Sequence, residues 1–305
     1  MSSFILLFGC LGLGVLLQRV KEFPRNAAQV LNQFIIYISM PALALYFIPD
    51  VKLNSTVLLP VGLAWICFGA AALFFWSLGK AFGWSRKLVG CLILTGGLGN
   101  TSFVGLPVIE ALFGPDSLET VILIDQPGTF VVLSTAGIAL AASFSRGAAS
   151  AGTIARKIFR FPPFLAFLLA LLLNLLDLHF SIEMKEVFQR LGSTVSPLAL
   201  VSVGLQLRPE WRSRHWGFLA LGLAFQLMLA PLLILSLYYG VFGVRGELLQ
   251  ISVLEAAMAP MITASIVAAS NGLKPRLANM MVGFGIPISF ITLAFWYWVL
   301  NVVVS

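Results

Sequence analysis

The stretch L-V-G-C-L-I-L-T-G-G-L-G-N-T-S-F-V-G-L-P-V-I-E-A-L-F, Leu88 to Phe113, is long enough to cross a bilayer, yet it is interrupted at its middle. Gly96, Gly97, Gly99, Gly105 and Pro107 weaken a helix, because glycine carries extra backbone entropy and proline lacks an N–H. Among them stand Asn100, Thr101 and Ser102, which are costly in hydrocarbon unless something uses them. Irregular backbone at membrane depth survives only against protein or a watery cavity. The helix is therefore expected to break at Gly97, Gly99 and Pro107. A second interrupted span, Leu248 to Asn271, carries Glu255 and the run A-A-M-A-P-M-I-T-A-S around Pro260. Two broken helices in matching positions of two halves mark a transporter's binding site.

The rest of the chain fits a bilayer. Of its 305 residues 59% are hydrophobic and only 10% charged, with a mean hydropathy of +0.98. A soluble domain carries about 25% charged residues, so this is a polytopic membrane protein. Cys10, Cys67 and Cys91 lie inside apolar runs without metal-ligand spacing, and His179 and His215 sit in polar connections, so no metal site is expected. The net charge of +7 is scattered over short loops, which argues against nucleic acid as a partner. The N-terminus has no basic n-region and Arg19 and Lys21 follow the first apolar run, the pattern of a retained span.

Ten spans of membrane length emerge, near 3–18, 30–48, 56–79, 88–113, 121–143, 161–177, 187–207, 214–240, 248–271 and 277–302. Alternate loops collect 15 of the 19 Lys and Arg, and the opposite loops collect Asp50, Asp116, Glu119, Asp177, Glu183, Glu186 and Glu247. The positive-inside rule then puts both termini outside the cytoplasm. Five spans in residues 1–145, a cytoplasmic connection at 146–160 and five more in 161–305 make an inverted repeat. Pro41 and Pro197, Pro107 and Pro260, and Pro127 and Pro287 pair across the halves at offsets of 156, 153 and 160 residues. The expected fold is an all-α membrane protein of ten transmembrane helices, with spans four and nine broken and crossing.

A broken helix exposes unpaired N–H groups at the start of its second half, together with a partial positive charge. Such an end binds anions. Asn100, Thr101 and Ser102 open one half-helix, and Met261, Ile262, Thr263 and Ser265, after Pro260, open the other. Two such ends could hold a carboxylate without a lysine or arginine, and no basic residue lies deep in any span. The carbonyl ends near Gly97–Gly99 and Ala257–Ala259 suit a cation. Glu255 and Asp125 are carboxylates at membrane depth without a protein cation to pair with, so a proton or Na⁺ is expected to neutralise them. Glu110 and the cluster Phe295, Trp296, Tyr297 and Trp298 read as interfacial. Gly9, Gly12 and Gly14, with Gly204, read as close helix packing.

Three motifs, I-S-M-P-A-L-A-L (Ile38 to Leu45), G-N-T-S-F-V-G-L-P (Gly99 to Pro107) and P-L-A-L-V-S-V-G-L-Q-L (Pro197 to Leu207), resemble the auxin efflux carrier family, and the likeness covers essentially the whole chain. The resemblance implies a scaffold of spans one, two, six and seven that forms a homodimer, and a mobile transport domain of spans three to five and eight to ten. It implies that Asn100 binds substrate and that Met40 lines the scaffold wall. The stretch L-E-A-A-M-A-P is also similar to the crossover of bile-acid sodium symporters, where a glutamate at the place of Glu255 helps bind sodium.

The expected function is secondary active transport of small organic carboxylate anions by elevator-type alternating access, coupled to Na⁺ or H⁺, in a bacterial inner membrane. No H-E-x-x-H, paired-aspartate or G-x-S-x-G constellation stands at membrane depth, so neither an enzyme nor a cofactor is expected. The alternative is a membrane receptor that keeps the same fold and holds a small ligand without moving it.

Overall fold

The computed structural model describes residues 2–24, 26–51, 57–145, 160–207 and 215–304. Most of the connection expected at 146–160, and the basic residues Arg208, Arg212 and Arg214, lie outside them. Helices run in the order α1 (Ser2–Leu17), α2 (Ala27–Asp50), α3 (Leu58–Ala81), α4 (Arg86–Gly97), α5 (Thr101–Phe113), α6 (Pro115–Phe144) and α7 (Pro162–Leu175). They continue as α8 (Ile182–Gly192), α9 (Val195–Gln206), α10 (Trp216–Val241), α11 (Glu247–Ala256), α12 (Ile262–Ser270) and α13 (Pro275–Val304). Among the described residues the architecture is all α, and five helices, α2, α3, α6, α10 and α13, are each long and apolar enough to cross a membrane.

Prolines shape these helices without cutting them. Wide, π-type turns at Ile35–Ser39, Thr101–Gly105 and Phe225–Leu229 each begin six residues before a proline, Pro41, Pro107 and Pro231 respectively. Proline removes one N–H and its ring clashes with the carbonyl one turn back, and a wider turn absorbs both defects. Pro107 therefore sits inside a continuous helical run, and the break expected there does not occur. The backbone leaves the helix at Leu98–Asn100 instead.

Two groups of helices pack mainly within themselves and meet where α6 touches α7 and α2. In the first, α1 crosses α9 so closely that a Cβ on Gly14 would lie 2.3 Å from the Val201 carbonyl, and one on Gly204 2.3 Å from that of Leu11. Gln18 Nε2 ties the crossing by donating to the carbonyls of Gly204 (2.7 Å) and Leu207 (3.1 Å). Gly9 and Gly12 take no part in it, because both face open space. Asn174 of α7 donates to the carbonyls of Ile48, Pro49 and Val51 at 2.8–3.0 Å, at the C-terminal end of α2 where intrahelical donors run out. Ser39 and Thr194 hydrogen-bond at 2.7 Å, and Ser202 donates to Asn32 and to the Ala28 carbonyl.

The second group gathers α3, α4, α6 and α10 to α13 around the rings of Phe74, Phe75 and Phe225, whose centroids lie 5.1 Å apart. Tyr238 Oη donates to the Leu59 carbonyl (2.5 Å) and Trp296 Nε1 to that of Leu227 (2.8 Å). Trp296 is thus a buried core residue and not a member of the interfacial cluster, while Phe295 and Trp298 remain exposed. Helix α5 touches both groups, packing on α1 and α9 as well as on α6. In its last turn the half-buried Glu110 accepts a hydrogen bond from Ser196 of α9, so it also links two helices.

Candidate functional site

The two breaks meet. Leu98 and Met261 are extended, and Gly99 pairs with Pro260 as an antiparallel bridge. The Asn100 N–H donates to the Ala259 carbonyl (2.7 Å) and the Met261 N–H to that of Leu98 (2.9 Å). The local sequence explains this. A side chain at position 99 would press on the Glu255 carbonyl 3.2 Å away, so glycine is what lets the strands approach. Proline at 260 has no N–H to leave unpaired in a gap that satisfies only its neighbours.

Past the bridge each chain re-enters a helix whose first-turn N–H groups have no intrahelical acceptor. Asn100 caps α5, its Oδ1 accepting from the Phe103 N–H at 3.0 Å. Its Nδ2 is buried and has no hydrogen-bond partner, in a residue only 1% exposed. Thr101 and Ser102, expected to face a substrate, turn their hydroxyls to Asp125 Oδ1, the former at 2.6 Å. Asp125 Oδ2 accepts from Gln126 Nε2 at 2.8 Å. Asp125 is therefore a buried acceptor of three hydrogen bonds, two from the first turn of α5 and one from its neighbour Gln126.

The second break has different chemistry. Helix α11 ends at Ala256, placing Glu255 in its last turn, and α12 starts at Ile262 with no side-chain cap. Both Glu255 carboxyl oxygens are buried and unpaired. They lie over Gly105 of α5, where an added Cβ would stand 2.5 and 2.6 Å from them, so the carboxyl of one broken span docks into the wide turn of the other. Ser252 Oγ, one turn before Glu255, Gln126 Oε1, Gln226 Oε1 and Ser265 Oγ of α12 are also buried without a partner among the described residues.

Asn100, Thr101, Ser102, Pro260, Met261, Glu255 and Asp125 are thus brought into one buried assembly, with Ile262 buried beside it at the start of α12; Thr263, expected among the binding residues, is exposed and is not part of the buried assembly. Met40 is buried at the head of the second segment of α2, which packs chiefly on α7 and α8. Sequence reasoning missed Gln226 of α10. Its Nε2 donates to the Met258 carbonyl (3.1 Å) and approaches the Gly99 backbone, holding the second gap in place of a cap. The available signal was an amide inside the apolar run F-Q-L-M-L, since a polar group at membrane depth needs a use.

A family model described as "membrane transport protein" matches residues 1–297. The chain belongs to this family, that of the auxin efflux carriers. Two archaeal proteins are similar over nearly their full lengths. One, an uncharacterized transporter of Methanothermobacter thermautotrophicus, is 28% identical over 292 residues, covering 93% of each chain. The other, an uncharacterized transporter of Methanocaldococcus jannaschii, is 26% identical over 283 residues, covering 90% of each. The protein is a membrane transporter and not an enzyme.

Proposed function

We propose that this transporter is a secondary carrier of small organic carboxylate anions, working by elevator-type alternating access and coupled to Na⁺ or H⁺. The observation that carries the reading is Asn100: a buried amide whose Nδ2 has no acceptor, at the N-terminus of one half-helix and bonded through its backbone to the gap that precedes another. A carboxylate there would accept from that amide and from first-turn N–H groups, with the helix dipoles supplying positive potential. A site of partial charges also releases its anion, as a carrier must.

The coupling role falls to Glu255 with Asp125. Two buried acids call for a cation, and among the described residues no buried lysine or arginine supplies it. A proton would sit on Glu255, whose oxygens are unpaired; Na⁺ would draw on the same oxygens, with Ser252 Oγ and Gln126 Oε1 as neutral ligands. In this reading the chain has ten spans in two inverted halves, with α4–α5 and α11–α12 the crossing broken pair. The group of α1, α2, α7, α8 and α9 is the dimerising scaffold, and the others move against it.

The test is uptake of labelled mono- and dicarboxylates into proteoliposomes holding the purified chain, with Na⁺ and pH gradients imposed separately. At least one acid should accumulate under one of the gradients, and Asn100→Ala should abolish it. The reading fails if no acid moves, or if Asn100→Ala transports like the wild type.

A further inference from the structure

At a turn that the charge rule read from the sequence assigns to the cytoplasmic side, the end of α3, the turn 82–85 and the start of α4 flank a cavity of about 360 Å³ lined by Trp76, Gly79, Lys80, Trp84, Arg86, Val89 and Phe144. Two cations and three aromatic rings line it, and no acidic residue does. Lys80 Nζ lies 4.7 Å from the Trp76 ring centroid, and the Arg86 guanidinium carbon lies 5.3 Å from that of Phe144. The shape is built and not incidental. Gly83 takes a left-handed φ of +65°, which lets the Trp84 N–H return to the Gly79 carbonyl at 2.9 Å. Trp84 packs edge-on against Phe218 at 5.2 Å, and Ser85 caps α4 by accepting from the Leu88 N–H. Arg86 is fixed by one bond, Nη2 to the Ser143 carbonyl at 2.9 Å, out of the five N–H groups a guanidinium carries.

We infer that this cavity binds the phosphate headgroup of an anionic phospholipid of the cytoplasmic leaflet, with Lys80 and Arg86 on the phosphate and an acyl chain running along Trp76 and Val89. Charge complementarity fixes the sign of the ligand. Aromatic and apolar walls beside a long apolar helix, with Trp76 half exposed on its outer face, fit an amphiphile better than a free anion. A basic pocket between helices at the cytoplasmic interface is how membrane proteins hold such headgroups, and tryptophan favours that depth. The site lies away from the crossover residues and does not depend on which substrate the carrier moves.

The experiment is native mass spectrometry of the purified full-length chain, released from mixed micelles holding phosphatidylglycerol, phosphatidylcholine or neither, with inorganic phosphate added in a separate arm. Retention of phosphatidylglycerol over phosphatidylcholine is expected. Neutralising each cation, in Lys80→Gln and Arg86→Gln, should weaken retention about fivefold, whereas Lys21→Gln, at another basic loop, should leave it unchanged. Lys80→Arg with Arg86→Lys keeps the charges and should keep the lipid, which separates lost binding from lost folding. Equal retention of both lipids, retention unaffected by the double glutamine variant, or displacement of the lipid by millimolar inorganic phosphate each overturns the inference.

Discussion

The two broken spans share a backbone design and differ in their chemistry. The first interrupts its helix over Leu98–Asn100, caps the new one with its own asparagine and surrounds it with hydroxyls, Thr101 and Ser102, that hold Asp125. The second runs through A-M-A-P-M without a polar side chain of its own and relies on Gln226 of a neighbouring helix to satisfy Met258. Its one ionisable group, Glu255, turns toward the first span. The two gaps thus share one backbone bridge, whereas the polar caps stand on one side of it and the unpaired carboxyl on the other.

This contrast can be broken by substitution. The largest effect is expected at Asn100, where alanine should lower carboxylate uptake by about tenfold or more, as for the loss of a charge-assisted hydrogen bond. The same change should cost about 1 kcal/mol of stability through the lost cap. Asn100→Asp keeps the cap but presents a negative charge to an anion, so it should fold like the wild type in a thermal melt and still fail in uptake. Next comes Glu255→Gln, which should make uptake insensitive to the driving ion gradient while leaving substrate exchange and the melting temperature in place. A loss of exchange as well would move Glu255 from coupling to substrate binding.

Structural terms follow. Gly105→Ala forces a methyl against the Glu255 carboxyl and should destabilise by about 1–3 kcal/mol. Adding Glu255→Ala should restore part of that loss, and strict additivity in the double variant would refute the contact. Gln226→Leu leaves the buried Met258 carbonyl without its donor, for about 1–3 kcal/mol, and by the asymmetry above should damage the second break alone. The smallest change is expected for Ser196→Ala, which frees Glu110 at the outer end of α5 and should shift stability by no more than about 1 kcal/mol.

Much of this was legible in the sequence. A polar triplet among glycines, and a lone proline among alanines, each at membrane depth, can hardly continue a helix in lipid, so both interruptions and the place of Asn100 could be read directly. Pro107 misled because proline disturbs a helix in two ways, and a widened turn accommodates it where a break was expected. The remaining differences have one cause: hydropathy gives depth but not direction around the helix axis. It could not tell that Gly14 faces Gly204 while Gly9 and Gly12 face outward, that Trp296 turns inward from an aromatic cluster, or that Glu110 reaches Ser196. Gln226 and Asp125 were visible as polar residues in apolar runs, but their partners lie in other helices, and only the folded chain brings them together.

The mutual bonds of Asn100 and Met261 carry a mechanical consequence. Each gap spends its donor on the carbonyl of the other, so the pair is buttoned together at the seam where a guest would be gripped. Prising these ends apart to admit or discharge cargo would strand backbone groups in a dry interior. In the carrier proposed above, a gate would then lie outside the seam, in the sliding of neighbours past a joint that itself stays shut.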